Sequence, residues 1–545
     1  MPILAVVLLV AMQPDSAGLE SRARRAEQDF ERDRLWLMLQ DAPESRKCDA
    51  QIGRFCHWSD PADTVLPADP RDVRTRRALL LATLDTVARL LPGDGWVAGQ
   101  RVRYLIEAGR FDDAEAAAGA CRAEAWWCAA LQGLAQQVSQ DFDDAAASYD
   151  RALAAMPPGQ RCRWTDLSVL LAGAAARGYD MLSCAEREDV DARLWWLAQP
   201  MWWMPGNDRR TEHYARLTMA RLMEDADSPY GRWSDDVREL IVRYGWPVTW
   251  FREDRGDDHF TVGLDAEPGW HFLPDLSALD APAPSDAPGS LEEQFAIERY
   301  APRYAHSFTV LQPDVAAFRR RDSTLVVASW DLSGVAAFHA DAYASALVLA
   351  RDARSPPVVV SQATNGAIGS LVAEAPWAPA VVSLELYDPD TRSAARARGP
   401  LAPGAGGPGL SGVLLFEPAD SLPAGLPQVL ARLHAGAVPA GARIGVYWEV
   451  YGLTPGEDVP TAVTITPERR GLFARIAAAL GLARKPGAVR MEWRSAAPPS
   501  PETVSRAVVV DLGALAAGRY RVAVTVSPPA RAPATTYRTL RVVRP

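Results

Sequence analysis

Two adjacent carboxylates stand in the stretch GRWSDDVRELIVRYGWP, residues 231–247, and these residue types could do chemistry together. Asp235 and Asp236 could divide acid and base roles, with Arg238 holding one of them ionised. The stretch has no neighbouring histidine or cysteine, and serine and aspartate commonly form turns beside regular elements. The pattern therefore favours a structural role, and a hydrolase with an acidic site at Asp235 and Asp236 is an alternative.

A second group of polar residues could bind a metal ion through carboxylate and imidazole ligands. Its members are Asp254, Asp257, Asp258, His259 and, twelve residues later, His271. The chain has no H-E-x-x-H, H-x-H or C-x-x-C motif, no Walker A loop and no G-x-S-x-G elbow. A solvated turn between two strands is the favoured interpretation, so the sequence predicts neither a metal nor a cofactor.

Tryptophans form the third group of candidate binding residues: Trp195, Trp196, Trp202, Trp203 and Trp233. Each indole can bury about 150–250 Å². The first four therefore predict a hydrophobic clamp between helical and β parts of the chain. The alternative is an exposed aromatic platform for sugars, which would make the protein a carbohydrate-binding surface protein.

The bulk composition indicates a globular protein with several domains. The chain has 545 residues, of which 48% are hydrophobic and 23% are charged, and its net charge is −10. A chain of this length exceeds a single core and predicts three or four domains. The acidic balance argues against a nucleic-acid partner.

The N-terminus predicts export. Residues 3–12 form an apolar run of signal-peptide length, and Ser16, Ala17 and Gly18 supply small residues for cleavage after residue 18. The run is not preceded by lysine or arginine, so an apolar first helix or a misplaced start codon remains an alternative. No later stretch predicts a transmembrane span. The predicted location is periplasmic or secreted.

Six cysteines lie in the first third of the chain, at Cys48, Cys56, Cys121, Cys128, Cys162 and Cys184. In an exported protein, an even number of cysteines predicts disulfides. Fifteen connectivities are open, and pairing of neighbours, 48–56, 121–128 and 162–184, is favoured because each pair would lie within one helical hairpin. In a cytosolic protein these residues would be buried thiols.

The region 19–220 is predicted to be helical and carries an internal repeat. Residues 111–114, Phe-Asp-Asp-Ala, recur at 142–145, an offset of 31 residues. The second copy continues to Tyr149, Ala152 and Pro157, and the spacing resembles the tetratricopeptide (TPR) pattern, in which small residues let paired helices approach. The resemblance implies a groove over residues 97–157 that binds extended peptides.

Residues 221–275 predict a small β/α connector. Leu240, Val242 and Tyr244 alternate with Glu239, Ile241 and Arg243, which predicts a half-buried strand, and VTWFRED, HFTVGL and GWHFLP predict further strands. The order of tryptophan, serine, aspartate, apolar strand and Tyr-Gly-x-Pro resembles the GWxTD domain of exported bacterial proteins. The resemblance implies the architecture of this region and the export of the protein, and it implies no catalysed reaction.

The remainder of the chain is predicted to be β-structure after a Pro/Ala/Ser-rich linker at 276–292. Strand patterns separated by turns predict two immunoglobulin-like β-sandwiches, at 293–418 and 419–545. Ile444, Val446, Trp448 and Val450 are predicted to share one face, and Tyr520 resembles the tyrosine corner of immunoglobulin-like folds. The basic amphipathic segment 469–485 predicts either a cover for an open sheet face or a peripheral contact with an anionic membrane.

The fold class predicted is thus a multidomain α + β chain with TPR-like helical hairpins, a GWxTD-like connector and two sandwiches. The function predicted is a non-enzymatic exported scaffold or adaptor that mediates protein–protein interaction in the cell envelope or outside the cell. Its partner is expected to be an envelope or extracellular protein.

Overall fold

A computed structural model of the protein describes residues 16–37, 50–53, 55–57, 69–226, 235–245, 269–274, 296–335, 338, 342–401, 409–468, 488–499, 502–529 and 531–544. The described residues up to His306 form one compact unit, and those from Ser307 onward form a second. The first, the helical unit, consists mainly of helices, and the second, the β unit, consists mainly of sheets. The chain is therefore a mixed α + β protein, as the sequence predicts.

The elements of the helical unit follow one another in chain order. Its helices are α1 (Ser16–Leu37), α2 (Arg71–Leu90), α3 (Gly95–Glu107), α4 (Phe111–Gly119), α5 (Ala125–Ser139), α6 (Phe142–Ala155), α7 (Pro158–Trp164), α8 (Gly173–Asp180), α9 (Cys184–Ala198), α10 (Asp208–Glu224) and α11 (Asp235–Tyr244). Strands β1 (Ala50–Ile52) and β2 (Phe55–His57) form an antiparallel hairpin.

The repeated Phe-Asp-Asp-Ala segments begin two equivalent helices, α4 and α6. In each, the paired aspartates lie in the first turn, where the unsatisfied N–H groups favour negative charge. Glycine permits the close approach of α5 to α6, because a Cβ at Gly133 would lie 2.8 Å from the ring of Tyr149. The repeat in the sequence thus marks a repeated helix start.

Two of the three predicted disulfides are present. Cys121 pairs with Cys128 at the start of α5, and Cys162 of α7 pairs with Cys184 at the start of α9, with Cα–Cα distances of 5.5 and 5.7 Å. Cys48 lies outside the described residues, so the 48–56 pairing stays a prediction. Both observed bridges join neighbouring segments, as the preference for local pairing predicts.

The strand predicted over Leu240, Val242 and Tyr244 is wrong, because these residues belong to α11. Val237, Leu240, Ile241 and Tyr244 are spaced as on one helix face, and all four pack with residues of α10. A Glu239–Arg243 ion pair of 2.7 Å supports the helix at i, i+4 spacing. The segments VTWFRED and HFTVGL and the linker 276–292 lie outside the described residues.

Two short non-helical segments, 269–274 and 296–306, complete the helical unit. The backbones of Trp270 and Tyr300 exchange two hydrogen bonds of 2.9 and 3.0 Å, so GWHFLP forms an isolated bridge rather than the predicted strand. The domain boundary that the sequence predicts at residue 293 is also corrected, because residues 296–306 belong with the helices rather than with the first sandwich.

The described strands of the β unit form four sheets. Its strands are β3 (Ser307–Val310), β4 (Asp314–Arg320), β5 (Ser323–Asp331), β6 (Tyr343–Ala350), β7 (Val358–Thr364), β8 (Ile368–Pro376), β9 (Ala380–Asp388), β10 (Ser393–Leu401), β11 (Leu414–Phe416), β12 (Val438–Pro439), β13 (Arg443–Tyr451), β14 (Asp458–Pro467), β15 (Val489–Ala496), β16 (Thr503–Asp511), β17 (Gly518–Val526) and β18 (Ala534–Val543). A short helix, α12 (Leu426–Leu430), follows β11.

The four sheets pack as two pairs. In the first pair, the sheet β3-β10-β9-β6-β7 and the sheet β4-β5-β8 enclose one hydrophobic core. In the second pair, the sheets β11-β13-β16 and β12-β18-β17-β14-β15 enclose another. The predicted face of Ile444, Val446, Trp448 and Val450 lies in this second core. The Tyr520 hydroxyl donates to Ala516 O at 2.8 Å, the kind of contact expected of a tyrosine corner.

The two sheet pairs share a buried interface. Apolar residues of β4, β5, β11, β13 and α12 form a third core there, including Phe318, Phe416 and Tyr447. The Arg320 guanidinium donates to both carboxylate oxygens of Glu449 at 2.6 and 2.9 Å. The predicted boundary at 418 is corrected, because β11 pairs with β13 and thus belongs to the second sheet pair.

We expect Gly412→Ala to loosen this interface, because a Cβ there would lie 2.6 Å from the Cα atom of Ala316. Backbone must then move, and overpacking of this kind costs about 1–3 kcal/mol. Denaturant unfolding of the full chain would measure the loss. Gly399→Ala is the matched control, because a Cβ at Gly399 meets nothing within 4 Å, and an equal loss in both variants would contradict the prediction.

Among the helices that the structure describes, none is long and apolar enough to cross a membrane. The amphipathic segment 469–485 lies outside the described residues, so its two interpretations stay open.

Candidate functional site

The buried part of α10 carries a group of polar side chains. Although α10 is polar in sequence, most of its residues are buried, since it packs on α3, α5, α6, α9 and α11. Buried polar groups need partners. The partners form what we call the α10 cluster: Asp208, Arg209, Glu212, His213 and Arg216 on the helix, with His271, Glu298 and Tyr300 from the two non-helical segments.

The centre of the α10 cluster is the carboxylate of Glu298. It accepts hydrogen bonds from Arg209 Nη2 at 2.7 Å and from His271 Nδ1 at 2.7 Å. Burial alone would raise the pKa of Glu298, but Arg209 and His271 lower it to about 2. Since an ionised carboxylate only accepts hydrogen bonds, His271 carries its proton on Nδ1.

Tyr300 and Asp208 form the next contact. The Tyr300 hydroxyl donates to Asp208 Oδ2 at 2.9 Å. Desolvation raises the pKa of Asp208 to about 6, although the hydrogen bond from Tyr300 opposes the shift. This contact and the Arg209–Glu298 pair both fix the 296–306 segment to the first turn of α10.

Arg216 connects α11 to the α10 cluster. Its Nη1 donates to the carbonyl oxygens of Val242 and Arg243 at 3.2 and 2.9 Å, at the C-terminal end of α11. Its Nη2 donates to Arg299 O at 3.0 Å, and its Nε donates to Glu212 Oε1 at 2.8 Å. A cation on the unsatisfied carbonyls of a helix end is favourable. Arg216 therefore joins three elements.

His213 is fully buried, and neither of its ring nitrogens has a hydrogen-bond partner among the described residues. Its ring lies 5.0 Å from that of Trp195. Desolvation lowers the pKa of His213 well below 6.5, and the nearby Arg209 and Arg216 lower it further. The imidazole is therefore neutral in the folded protein.

We expect His213 to lower the stability of the helical unit as the pH falls below 6.5, because the unfolded chain then binds a proton at His213 that the folded chain excludes. Asp208 and Asp191 act in the opposite direction, since burial raises the pKa of their carboxyl groups in the folded protein to about 6 and about 7. As the pH is lowered from neutral to mildly acidic, the unfolding free energy of His213→Gln should therefore rise relative to that of the wild type. The unfolding free energy of Asp208→Asn should fall relative to that of the wild type over the same range, and an unchanged pH dependence in His213→Gln would contradict the assignment.

The His271–Glu298 pair is the kind of arrangement that orients a general base in hydrolases. Here the imidazole is only 9% exposed and the carboxylate is fully buried. The pair contacts α10 and the two non-helical segments, 269–274 and 296–306. The geometry thus holds 269–274 and 296–306 against α10, which is a positioning role for both residues.

A second buried polar cluster joins α1, α2 and α3. It contains three carboxylates and three guanidinium groups, together with Tyr104: Glu27, Glu31, Glu107, Arg34, Arg77 and Arg103. Arg103 contacts Glu31 at 2.9 Å, and Arg34 contacts Glu107 at 2.8 Å. Burial raises the pKa of Glu107, but Arg34, Arg103 and Arg77 more than offset it. The balance of charge explains how so many ions are buried together.

The predicted tryptophans pack inside the helical unit. Trp195 and Trp202 are buried, and the ring of Trp202 stacks on that of Trp196 at 5.2 Å. The Trp202 indole N–H donates to Trp196 O at 2.7 Å. Trp203 is half-buried, and Trp233 lies outside the described residues. The indoles that the structure describes therefore brace the segment between α9 and α10.

The predicted acidic pair lies in the first turn of α11. Asp235 and Arg238 are exposed, whereas Asp236 lies against Gly53 in the turn of the β1–β2 hairpin. The structure does not bring any of them into the α10 cluster. Asp254, Asp257, Asp258 and His259 lie outside the described residues. Within the described ranges, no group of three or more His, Cys, Asp or Glu residues could hold a metal ion.

Helix α10 packs on α3 and α5, which lie within the region 97–157. Gln100 Nε2 donates to Leu222 O at 2.7 Å, and Gln137 Nε2 donates to Glu212 Oε2 at 3.2 Å. Leu222 also packs against Gly99. Helix α10 of the same chain therefore contacts both of these helices, and the groove expected over 97–157 stays a prediction.

Sequence reasoning missed both buried clusters. Glu298 and Arg209 are 89 residues apart, so no local pattern relates them. The one available signal is the spacing of Glu27, Glu31 and Arg34 within α1, and that spacing also fits a solvated helix face.

No protein-family model matches the chain, and no curated protein matches it. Three solved structures each cover 43% of the chain. Red sea bream transglutaminase is 11% identical with a TM-score of 0.16, and PorU from Porphyromonas gingivalis is 12% identical with 0.20. Salmonella alpha-2-macroglobulin is 8% identical with 0.20. The match spans 31%, 20% and 24% of these chains, respectively, and scores this low support no inference about fold or activity.

Proposed function

We propose that this protein is an exported, non-enzymatic scaffold that mediates protein–protein interaction in the periplasm or outside the cell. The two disulfides of the helical unit support export, because such bridges persist in oxidising compartments. In this proposal the helical hairpins are TPR-like, the region around α11 is a divergent GWxTD-like connector, and the two sheet pairs are immunoglobulin-like sandwiches.

The observation that carries the proposal is an uncharged surface on the open side of the first sheet pair. Strands β7 and β8 are the terminal strands of its two sheets, and a three-residue turn joins them. The eighteen residues 356–373 contain no charged side chain, although 23% of the whole chain is charged. Val359 and Ile368 are 43% and 55% exposed there. Exposed, uncharged sheet edges pair readily with other chains.

The interface between the sheet pairs supports the same proposal. The third core and the Arg320–Glu449 pair join the two sheet pairs, so surfaces on them keep a fixed spacing. Binding to a rigid platform costs little ordering entropy. The two sheet pairs are therefore suited to presenting their strand edges to a binding partner.

The test is position-specific crosslinking in the native cells. A photoreactive amino acid replaces Val359 on β7 in one variant and Arg494 on the charged edge strand β15 in the matched control. We expect one protein, crosslinked near-stoichiometrically from position 359 and absent from position 494, to be identified by mass spectrometry. Equal crosslinking from both positions, or none from either, would overturn the proposal.

A further inference from the structure

We infer that the open edge of β7 binds the β7 strand of a second copy of this chain, in antiparallel orientation; the inference rests on the proposed scaffold function and names its partner. Strand β7 pairs with β6 and, within the part of the chain that the structure describes, with no second strand. The outward N–H and C=O groups of such an edge can pair with an added extended strand.

The other terminal strands of the two five-stranded sheets are protected against this pairing. Strand β3 has four residues and β12 has two, so each offers a short edge. Strand β15 has eight residues, but Arg490, Glu492 and Arg494 project from it. Short and charged edges are the devices by which proteins avoid strand addition. Strand β7 has seven residues and uses neither device.

Side-chain sizes along β7 favour a second copy as the occupant. In an antiparallel pair centred on Ser361, Val359 lies opposite Ala363 of the second copy, and Ser361 lies opposite Ser361. Val359, Ser361 and Ala363 are all exposed in the single chain and share one face of the strand. Each larger side chain thus meets a smaller one, and no charged groups face each other.

The length of the edge limits the strength of the pairing. Pro356 and Pro357 precede β7 and lack N–H groups, so the paired length is about seven residues, or roughly 23 Å. A contact of this size buries less than a standard interface of about 1,600 Å². The expected state is therefore a reversible dimer in concentration-dependent exchange with the monomer.

Sedimentation velocity of the full-length protein over a wide concentration range tests this inference. We expect reversible dimerisation in the wild type. Ser361→Lys and Ser361→Glu should each weaken it at least about tenfold, because like charges then meet at the two-fold centre. An equimolar mixture of the two variants should restore dimers, since lysine then faces glutamate. Glu492→Lys on β15 is the matched control and should dimerise like the wild type.

Two outcomes overturn the inference: a wild type that stays monomeric at every concentration, or a dimer that Ser361→Lys leaves unchanged. If the pure protein is monomeric but position 359 crosslinks to a different protein in cells, the second copy is excluded while the scaffold function stands. If position 359 captures no protein either, both proposals fail.

Discussion

Glu298→Ala is expected to destabilise the helical unit by about 3–5 kcal/mol, the cost of leaving a buried charge without its partner. Arg209 is fully buried, and its hydrogen bond to Glu298 is made by Nη2 at 2.7 Å. The substitution also removes the acceptor of His271 Nδ1. Because both contacts hold non-helical segments to α10, their loss should appear as a lower unfolding midpoint of the helical signal, measured by circular dichroism in denaturant.

A double substitution separates the contribution of the ion pair from that of simple packing. Removing both charges in Arg209→Met/Glu298→Leu should recover much of the loss, because an apolar pair of similar volume often replaces a buried ion pair without cost. Glu492→Ala removes a carboxylate from an exposed pair with Arg490 and should change stability by less than about 1 kcal/mol. A loss below about 1 kcal/mol in Glu298→Ala would show that Arg209 finds compensation and would contradict the assigned role.

Strands of the β unit could be predicted from the sequence where alternate residues enter a hydrophobic core. In β13, every second residue from Ile444 to Val450 enters the core, which leaves period-2 alternation in the sequence. Such alternation fixes the existence of a strand but not its neighbours. Sheet order depends on contacts between distant segments, so the sequence places β11 in the first sandwich although it pairs with β13 of the second.

Helix α11 shows how two periods compete in a short apolar segment. Leu240, Val242 and Tyr244 fit a strand, while Val237, Leu240, Ile241 and Tyr244 fit a helix. Two other signals decide in favour of the helix. Asp235 and Asp236 lie where the helix N-terminus favours negative charge, and Glu239 and Arg243 are spaced to form an i, i+4 pair.

The candidate sites were predictable only where local spacing determines them. The two observed disulfides join cysteines 7 and 22 residues apart, and each was predicted by proximity. The α10 cluster combines residues from α10, 269–274 and 296–300, so only tertiary structure relates them. The uncharged run 356–373 is visible in the sequence, but its importance depends on β7 and β8 being terminal strands.

Removal of the Cys162–Cys184 disulfide is expected to cost about 3.4 kcal/mol, and removal of the Cys121–Cys128 disulfide about 2.4 kcal/mol, by chain entropy. The first bridge closes a longer segment, with separations of 22 and 7 residues. A bridge over a longer segment excludes more conformations of the unfolded chain, which accounts for the difference of about 1 kcal/mol. Denaturant unfolding of the two double serine variants measures both losses. Equal losses would contradict the entropic ranking.

The oxidation state of these two disulfides also tests the compartment in which the protein resides. The protein is isolated from its native cells, denatured without reduction and treated with a thiol-alkylating reagent. If the protein is exported, this treatment should leave Cys121, Cys128, Cys162 and Cys184 unmodified. Reduction before alkylation is the control that shows all four can react. If these cysteines are modified without reduction, the bridges are absent in the cell, so the serine variants lose no stability there and the proposed export fails. If they are protected, the energy that each bridge contributes is present in the compartment where the scaffold works.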